Sequence, residues 1–370
     1  MTPSARDFFR PNIARMQGYV PGEQPREGGY IKLNTNENPY PPAPLVLERL
    51  RQACTEELRL YPDPSALSLR GKLAQVFGVA AEQVMVGNGS DELLNIIIRS
   101  FADEGQPVVY PYPTYGYYQP LIHIQNALEV AVEFPEDFSL PPDLAVPGAR
   151  LTFLANPNSP SGTLLPIGQI ADLARRVQGI LVIDEAYVDF SEGGCLELLA
   201  DHPHLIVVRT MSKSFSLAGL RIGFAFAGPE LIQGMWKVKD HYNLNRLSLV
   251  AAEAALDSMD HMRQQAARLC RTRSRLSHGL RQLGFHVWDS SANFVLARRA
   301  YPPAEHLYAQ LKKRRVLVRY FDQRRLRDCL RVSVGTDQEI DVLLRELADI
   351  LQKDHPPPAG ASAASSRQRV

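Results

Sequence analysis

The stretch Gly179-Ile180-Leu181-Val182-Ile183-Asp184-Glu185-Ala186-Tyr187 is a continuous apolar run that stops at a carboxylate. A short run without polar alternation reads as a strand buried on both faces. Similar runs lie to either side, at residues 84–87, 108–110, 151–155, 205–208 and 223–227. Helical stretches separate several of them, for example 92–101 and 167–177. This alternation predicts an α/β fold with a mainly parallel central sheet flanked by helices. In such sheets ligands gather beyond the carboxyl ends of the strands, the edge where Asn88, Asn156, Asp184 and Thr210 fall.

Towards the N-terminus, residues 1–45 are rich in Pro, Gly and Asn and read as an extended arm. Tyr19, Tyr30, Ile31 and Leu33 give that arm apolar surface with which to dock. Residues 45–58 have helical spacing, and Ser65 is placed to cap a second helix ending near Phe77. Towards the C-terminus a long helical region reaches about Leu283. Strands at 285–288, 293–297, 316–319 and 330–334, with a closing helix at 340–351, form a smaller α+β unit. The expected organisation is an arm (1–45) that joins the small domain and a dimer contact, then a large domain (46–235). Linking helices (236–283), a small C-terminal domain (284–354) and a disordered Pro/Ala/Ser-rich tail (355–370) follow.

With 45% apolar and 22% charged residues the composition is that of an ordinary soluble protein. A net charge of +1 offers no bulk attraction to nucleic acid or an anionic membrane. Cys54, Cys195, Cys270 and Cys329 are far apart and show no metal-ligand spacing, as expected of thiols in a reducing cytosol. No apolar stretch reaches the length of a membrane span, and Met1–Asp7 lacks a signal-peptide core. The expected location is the cytoplasm.

The chemistry gathers around Lys213, in Thr210-Met211-Ser212-Lys213-Ser214-Phe215, with Arg221 eight residues on. Alone, a lysine is a surface charge. At the mouth of a sheet it can be desolvated and lose its proton, as imine formation requires. Asp184 ends a buried strand, where it is either a turn carboxylate or a partner for a cationic ring nitrogen. Tyr187 follows three residues later, and Asn156 sits in the rigid turn Asn156-Pro157-Asn158-Ser159-Pro160-Ser161-Gly162. Ser90 and Asp91 open a helix whose free N–H groups favour an anion, and Thr210, Ser212 and Arg221 can complete a phosphate cup. Tyr115 could stack on an aromatic ligand. A nucleophilic amine, a ring-nitrogen acid and phosphate donors are the groups that hold pyridoxal 5′-phosphate.

Taken together these segments resemble the fold-type I pyridoxal-phosphate-dependent aminotransferases, and within them the histidinol-phosphate aminotransferase branch. The likeness rests on 33–40 (Leu-Asn-Thr-Asn-Glu-Asn-Pro-Tyr), 61–64 (Tyr-Pro-Asp-Pro), 87–92, 111–115, 184–187, 212–214 and 330–336, and runs from about residue 8 to 351. It implies that Lys213 forms the Schiff base and shuttles the proton, that Asp184 pairs with the ring nitrogen, and that Asn156 and Tyr187 meet the phenolic oxygen. Ser90, Asp91 (through its backbone N–H), Thr210, Ser212 and Arg221 fall in phosphate-binding positions, and Tyr115 in the stacking position. Tyr61 would reach the partner subunit's cofactor, implying a homodimer with shared active sites. Arg331 matches the substrate-anion arginine and Arg319 a second one, with Tyr19 lining the pocket; Asn156 also falls beside the substrate. Ser159 stands where asparagine is common in the family, a change with no expected consequence for the cofactor.

The implied activity is reversible amino transfer between L-histidinol phosphate and 2-oxoglutarate, yielding imidazole acetol phosphate and glutamate, in histidine biosynthesis. An aromatic (phenylalanine) aminotransferase or a threonine-phosphate decarboxylase would share the cofactor residues. A non-catalytic relative has no need of Lys213, and a nicotinamide dehydrogenase lacks its GxGxxG after the first strand.

Overall fold

A computed structural model describes residues 8–354. The expected tail at 355–370 and the stretch Met1–Asp7 lie outside the described residues. In chain order the strands are β1 (Ile31–Leu33), β2 (Val84–Asn88), β3 (Pro107–Tyr112), β4 (Leu128–Glu133), β5 (Leu151–Ala155) and β6 (Ile180–Asp184). There follow β7 (Leu205–Thr210), β8 (Ile222–Ala227), β9 (His286–Val287), β10 (Phe294–Arg298), β11 (Val316–Tyr320) and β12 (Cys329–Ser333).

Seven strands form one sheet in the order β2-β8-β7-β6-β5-β3-β4. The pairs from β7 across to β4 are parallel, and β8 runs against both its neighbours. The mainly parallel α/β architecture read from the apolar runs is therefore the observed one. β6 shows why those runs are continuous. Leu181 and Ile183 enter one apolar cluster, Val182 enters the other, and helices cover both faces. β4 escaped the sequence reading because it is an edge strand, half exposed along its length.

The second sheet has the order β1-β11-β12-β10-β9. Its edge strand β1 belongs to the arm and pairs in parallel with β11, Leu33 opposite Val318. Three residues of the arm thus form a strand of this sheet, and Pro11–Arg15 forms a short helix before it. The helix Ala304–Lys313, also not foreseen, packs on β11.

Two local expectations need correction. Residues 45–58 are not one helix: Pro44–Ala53 is α-helical, and a 3₁₀ turn, Glu56–Arg59, restarts where the Thr55 side chain accepts from the Glu57 N–H. The helix Leu67–Phe77 is not capped by Ser65. Asp63 accepts from the Leu67 N–H at 2.8 Å and from the Ser65 hydroxyl at 2.6 Å. A carboxylate is the stronger acceptor and Ala66 at φ +46° turns the chain back towards it.

Candidate functional site

A cavity of about 280 Å³ opens where β5, β6 and β7 end, and Ala155, Asp184 and Thr210 reach into it from those strands. At its base lies the Asp184 carboxylate, buried and held from two sides. Tyr118 donates its hydroxyl to Oδ2 at 2.9 Å, and the Ala186 N–H donates to Oδ1 at 3.1 Å. Burial pushes the Asp184 carboxyl up to about 6, while those two donors pull it down. The group is therefore costly to ionise alone and ready for a cationic partner. Tyr118 is fully buried and stacks on Phe153. No spacing in the sequence sets it apart from its neighbours Tyr115 and Tyr117.

One end of the cavity is built for an anion. Ser90 begins the helix Ser90–Phe101, and Thr210, Ser212 and Arg221 converge on the same end. Thr210 Oγ1 accepts from the Ser212 N–H at 3.1 Å and lies 2.9 Å from Ser212 Oγ. Two glycines permit the convergence. A Cβ on Gly223 would lie 2.4 Å from Gly89 C and Ser90 N, and Gly89, at φ +82°, leaves room for the Arg221 guanidinium. The Asp91 carboxylate is tied between Arg221 (3.0 Å) and the Tyr115 hydroxyl (2.9 Å). Tyr115 lines the cavity and meets Tyr118 edge-on.

Lys213 enters from the loop after β7, its Nζ 5.7 Å from the centre of the Tyr187 ring. The arm fixes this region through a period-two pattern. Asn34 O accepts from Arg331 Nη2 at 2.9 Å. Asn36 Nδ2 donates to the Tyr187 hydroxyl at 3.0 Å. Asn38 Nδ2 donates to the carbonyls of Lys213 and Ser214 at 3.2 and 3.3 Å. Between them Thr35 and Glu37 line the cavity, with Glu37 2.6 Å from Lys32. In the sequence, 33–40 stands out only through its likeness to the family. The three asparagines at alternate positions were the signal available, although the turn at Asn36 (φ +56°) takes them off a common face.

Asn156 is not brought to the cavity. Its Oδ1 accepts from the Leu165 N–H at 2.8 Å and its Nδ2 donates to the Leu165 carbonyl at 3.2 Å. Buried backbone groups need partners, and this amide supplies both for Leu165. The same turn presents Ser159 to the cavity instead. Tyr61 is also elsewhere: it is 77% exposed and stacks on Tyr242 at 4.4 Å.

An adjoining cavity of about 210 Å³ shares Tyr115 and Ser159 and is closed by Tyr19, Phe321, Arg319 and Arg331. The Arg331 guanidinium lies between the Phe294 and Phe321 rings, and its Nη1 reaches Ser159 Oγ at 3.4 Å. Its Nε is buried with no partner among the described residues. Arg319 Nη1 and Nη2 donate to the Pro21 and Val20 carbonyls of the arm. The Tyr19 ring meets Tyr115 and Tyr117 edge-on.

This arrangement fits pyridoxal 5′-phosphate. An anion end made of hydroxyls, a helix N-terminus and an arginine faces a lysine, and a buried carboxylate awaits a positive charge. The comparisons with known proteins agree. A family model for aminotransferase class I and II matches residues 29–347. A protein of Nostoc sp. described as histidinol-phosphate aminotransferase 1 is 45% identical over 348 residues, covering 94% of this chain and 99% of its own. A histidinol-phosphate aminotransferase of Geotalea uraniireducens is 43% identical over 343 residues, covering 92% and 99%. Among solved structures, the histidinol-phosphate aminotransferase of Sinorhizobium meliloti in complex with pyridoxal-5′-phosphate superposes with a TM-score of 0.85. It is 26% identical and covers 95% of this chain and 99% of that one.

Proposed function

The chain belongs to the class I and II aminotransferases, and we propose that it moves the amine of L-histidinol phosphate to 2-oxoglutarate, and the reverse. The products are imidazole acetol phosphate and glutamate, and the reverse direction serves histidine biosynthesis. The observation that carries the substrate is Arg331, with a buried, unpartnered Nε at the wall of a cavity adjoining Lys213. An unpaired buried donor is costly, and an anionic substrate group would satisfy it.

Pyridoxal 5′-phosphate is the cofactor; when bound it supplies a protonated ring that takes up the electron pair left at the substrate Cα. Asp184 holds the proton on the ring nitrogen. Ser90, the Asp91 N–H, Thr210, Ser212 and Arg221 would hold the cofactor's phosphate, and Tyr115 would lie against its ring. Tyr187 donates to the phenolic oxygen. Lys213 Nζ would hold the cofactor covalently and would move the proton at the substrate Cα. Arg331, supported by Arg319, orients the substrate phosphate, and Tyr19 closes the pocket against water.

The protein works as a cytoplasmic homodimer with shared sites. Leu58, Leu60, Tyr61, Leu67 and Tyr242 are exposed apolar side chains close together in sequence or stacking, a surface suited to a second copy of the chain. No helix among the described residues is long and apolar enough to cross a membrane.

The test is the visible spectrum of purified protein on adding L-histidinol phosphate, L-phenylalanine or threonine phosphate separately. Loss of the cofactor band with histidinol phosphate, restored by 2-oxoglutarate, supports the proposal. A response to phenylalanine alone, or carbon dioxide release from threonine phosphate, moves the substrate and overturns it.

A further inference from the structure

We propose that Asn36 is a positioning residue that sets the direction of the Tyr187 hydroxyl proton and aims it into the cofactor cavity. Asn36 is buried in a left-handed turn of the arm, at φ +56°. Its backbone N–H donates to Ser333 Oγ at 2.8 Å. Ser333 Oγ, the acceptor of that bond, donates its own hydrogen to Asn36 Oδ1 at 2.9 Å. Asn36 O accepts from Asn293 Nδ2 at 2.9 Å, so the turn is pinned from a third direction.

With Oδ1 engaged, the amide presents Nδ2 to the Tyr187 hydroxyl at 3.0 Å. An amide nitrogen has only hydrogens to offer, so the tyrosine oxygen accepts and its own proton must point elsewhere. Among the described residues that hydroxyl has no acceptor. Phe294 packs edge-on against the ring at 4.9 Å and Tyr187 lines the cavity, which leaves the cavity as the proton's direction. The hydrogen bonds therefore run one way, from Ser333 through Asn36 to Tyr187 and out to the ligand. Ser333 lies two residues beyond Arg331 on β12, so the strand that carries the substrate arginine also orients the tyrosine.

This inference rests on the reading that Tyr187 faces the phenolic oxygen of the cofactor. A proton offered to that oxygen stabilises its anionic form, so withdrawing it makes the bound cofactor hold a proton to higher pH.

The experiment is a pH titration of the visible absorbance of the holoenzyme without substrate, for wild type, Y187F, N36D, S333A and N36D/Y187F. Y187F tests the underlying reading and should raise the midpoint by about one pH unit, the scale of one hydrogen bond to a charged form. Asn36→Asp keeps the size and turn preference but offers Tyr187 an acceptor, drawing its proton away, and should raise the midpoint by a similar amount. Ser333→Ala, a milder change that faces no ligand, frees Oδ1 to turn towards Tyr187 and should raise the midpoint by a smaller amount. The double variant should titrate like Y187F alone, because Asn36 acts only through the tyrosine. Midpoints unchanged in both N36D and S333A while Y187F shifts would overturn the proposal. Additive shifts in the double variant would overturn it too, since the new carboxylate would then act by charge alone. An unshifted Y187F removes the reading of Tyr187 itself, and the proposal falls with its premise.

Discussion

Arg319 and Arg331 stand directly opposite each other in the antiparallel β11–β12 pair. Like charges at facing positions of a sheet destabilise it. Here Arg319 is drawn off by two arm carbonyls, while Arg331 keeps an unsatisfied nitrogen and is held below its ordinary pKa by burial, with Arg319 adding to the effect. A dianion between or beside the two would offset this repulsion, which is why the substrate reading leans on the pair.

Arg331→Ala should lower kcat/KM for histidinol phosphate by roughly 10²-fold, the scale of a lost charge-assisted pair, and leave cofactor affinity within a factor of two or so. Arg319→Ala should cost less, because its donors already serve the arm. Steady-state kinetics and cofactor titration on each variant check this. Equal losses of substrate and cofactor binding in Arg331→Ala would make that arginine a structural residue.

Lys213→Ala should reduce turnover by at least about 10³-fold, since both the covalent anchor and the proton carrier are lost. Cofactor should still bind through the phosphate donors and Asp184. Equilibrium dialysis with a single-turnover assay separates the two, and near-normal turnover would contradict the assignment.

The cofactor-free protein should show a pH dependence set by Asp184. Its folded pKa is raised to about 6 from an ordinary 3.8. The fold therefore binds this proton more tightly than the unfolded chain does. The associated stability is full below about pH 4 and is lost as pH rises through 6, a change of about 3 kcal/mol. Asp184→Asn should remove that component, and Tyr118→Phe should move its midpoint upwards by deleting a donor to the carboxylate. Denaturant melts of apo-protein at pH 4 and pH 7 decide it: an identical pH difference in wild type and D184N would contradict the expectation.

Beside the site, Glu185 has no exposed side-chain surface and pairs with Arg209 at 2.7 Å, while its other oxygen accepts from the Cys195 N–H at 2.5 Å. Arg209→Ala should destabilise the protein by about 3–5 kcal/mol, because it leaves a buried charge unpaired. A double change to Arg209→Leu and Glu185→Leu should recover much of that loss. Denaturation midpoints of the single and double variants provide the comparison.

Lys213→Ala and Tyr61→Phe subunits, each weak in activity, should give mixed dimers more active than either parent, since one site then carries both intact groups. A mixture no more active than its components would mean that Tyr61 does not act across a dimer.

The sequence made the large sheet legible because buried parallel strands are written as unbroken apolar runs, as in β6. It also made much of the lining of the cavity at the strand ends legible, because Ser90, Asp184, Lys213 and Arg221 are chemically distinctive at strand and helix ends. What escaped it depends on three-dimensional neighbours. A turn asparagine such as Asn156 does not reveal in advance that its Oδ1 and one Nδ2 hydrogen pair with the Leu165 backbone. Tyr118 was indistinguishable from its neighbouring tyrosines, although only it reaches the Asp184 carboxylate. β1 is three residues long, too short for any periodicity to declare it.

The bond between Asn36 and Ser333 spans 297 positions of the chain. Contacts so distant in sequence carry a large loop-closure cost and form late. During synthesis, the floor and phosphate end of the cavity cannot close before β8, which alone pairs with β2, has emerged, and the segment that holds Tyr187 and the lysine loop must wait for β12. Cofactor reaching a nascent chain would meet half a site. Its tightest grip belongs to the finished fold, so it serves as a late lock on the native state and offers little as a template for folding.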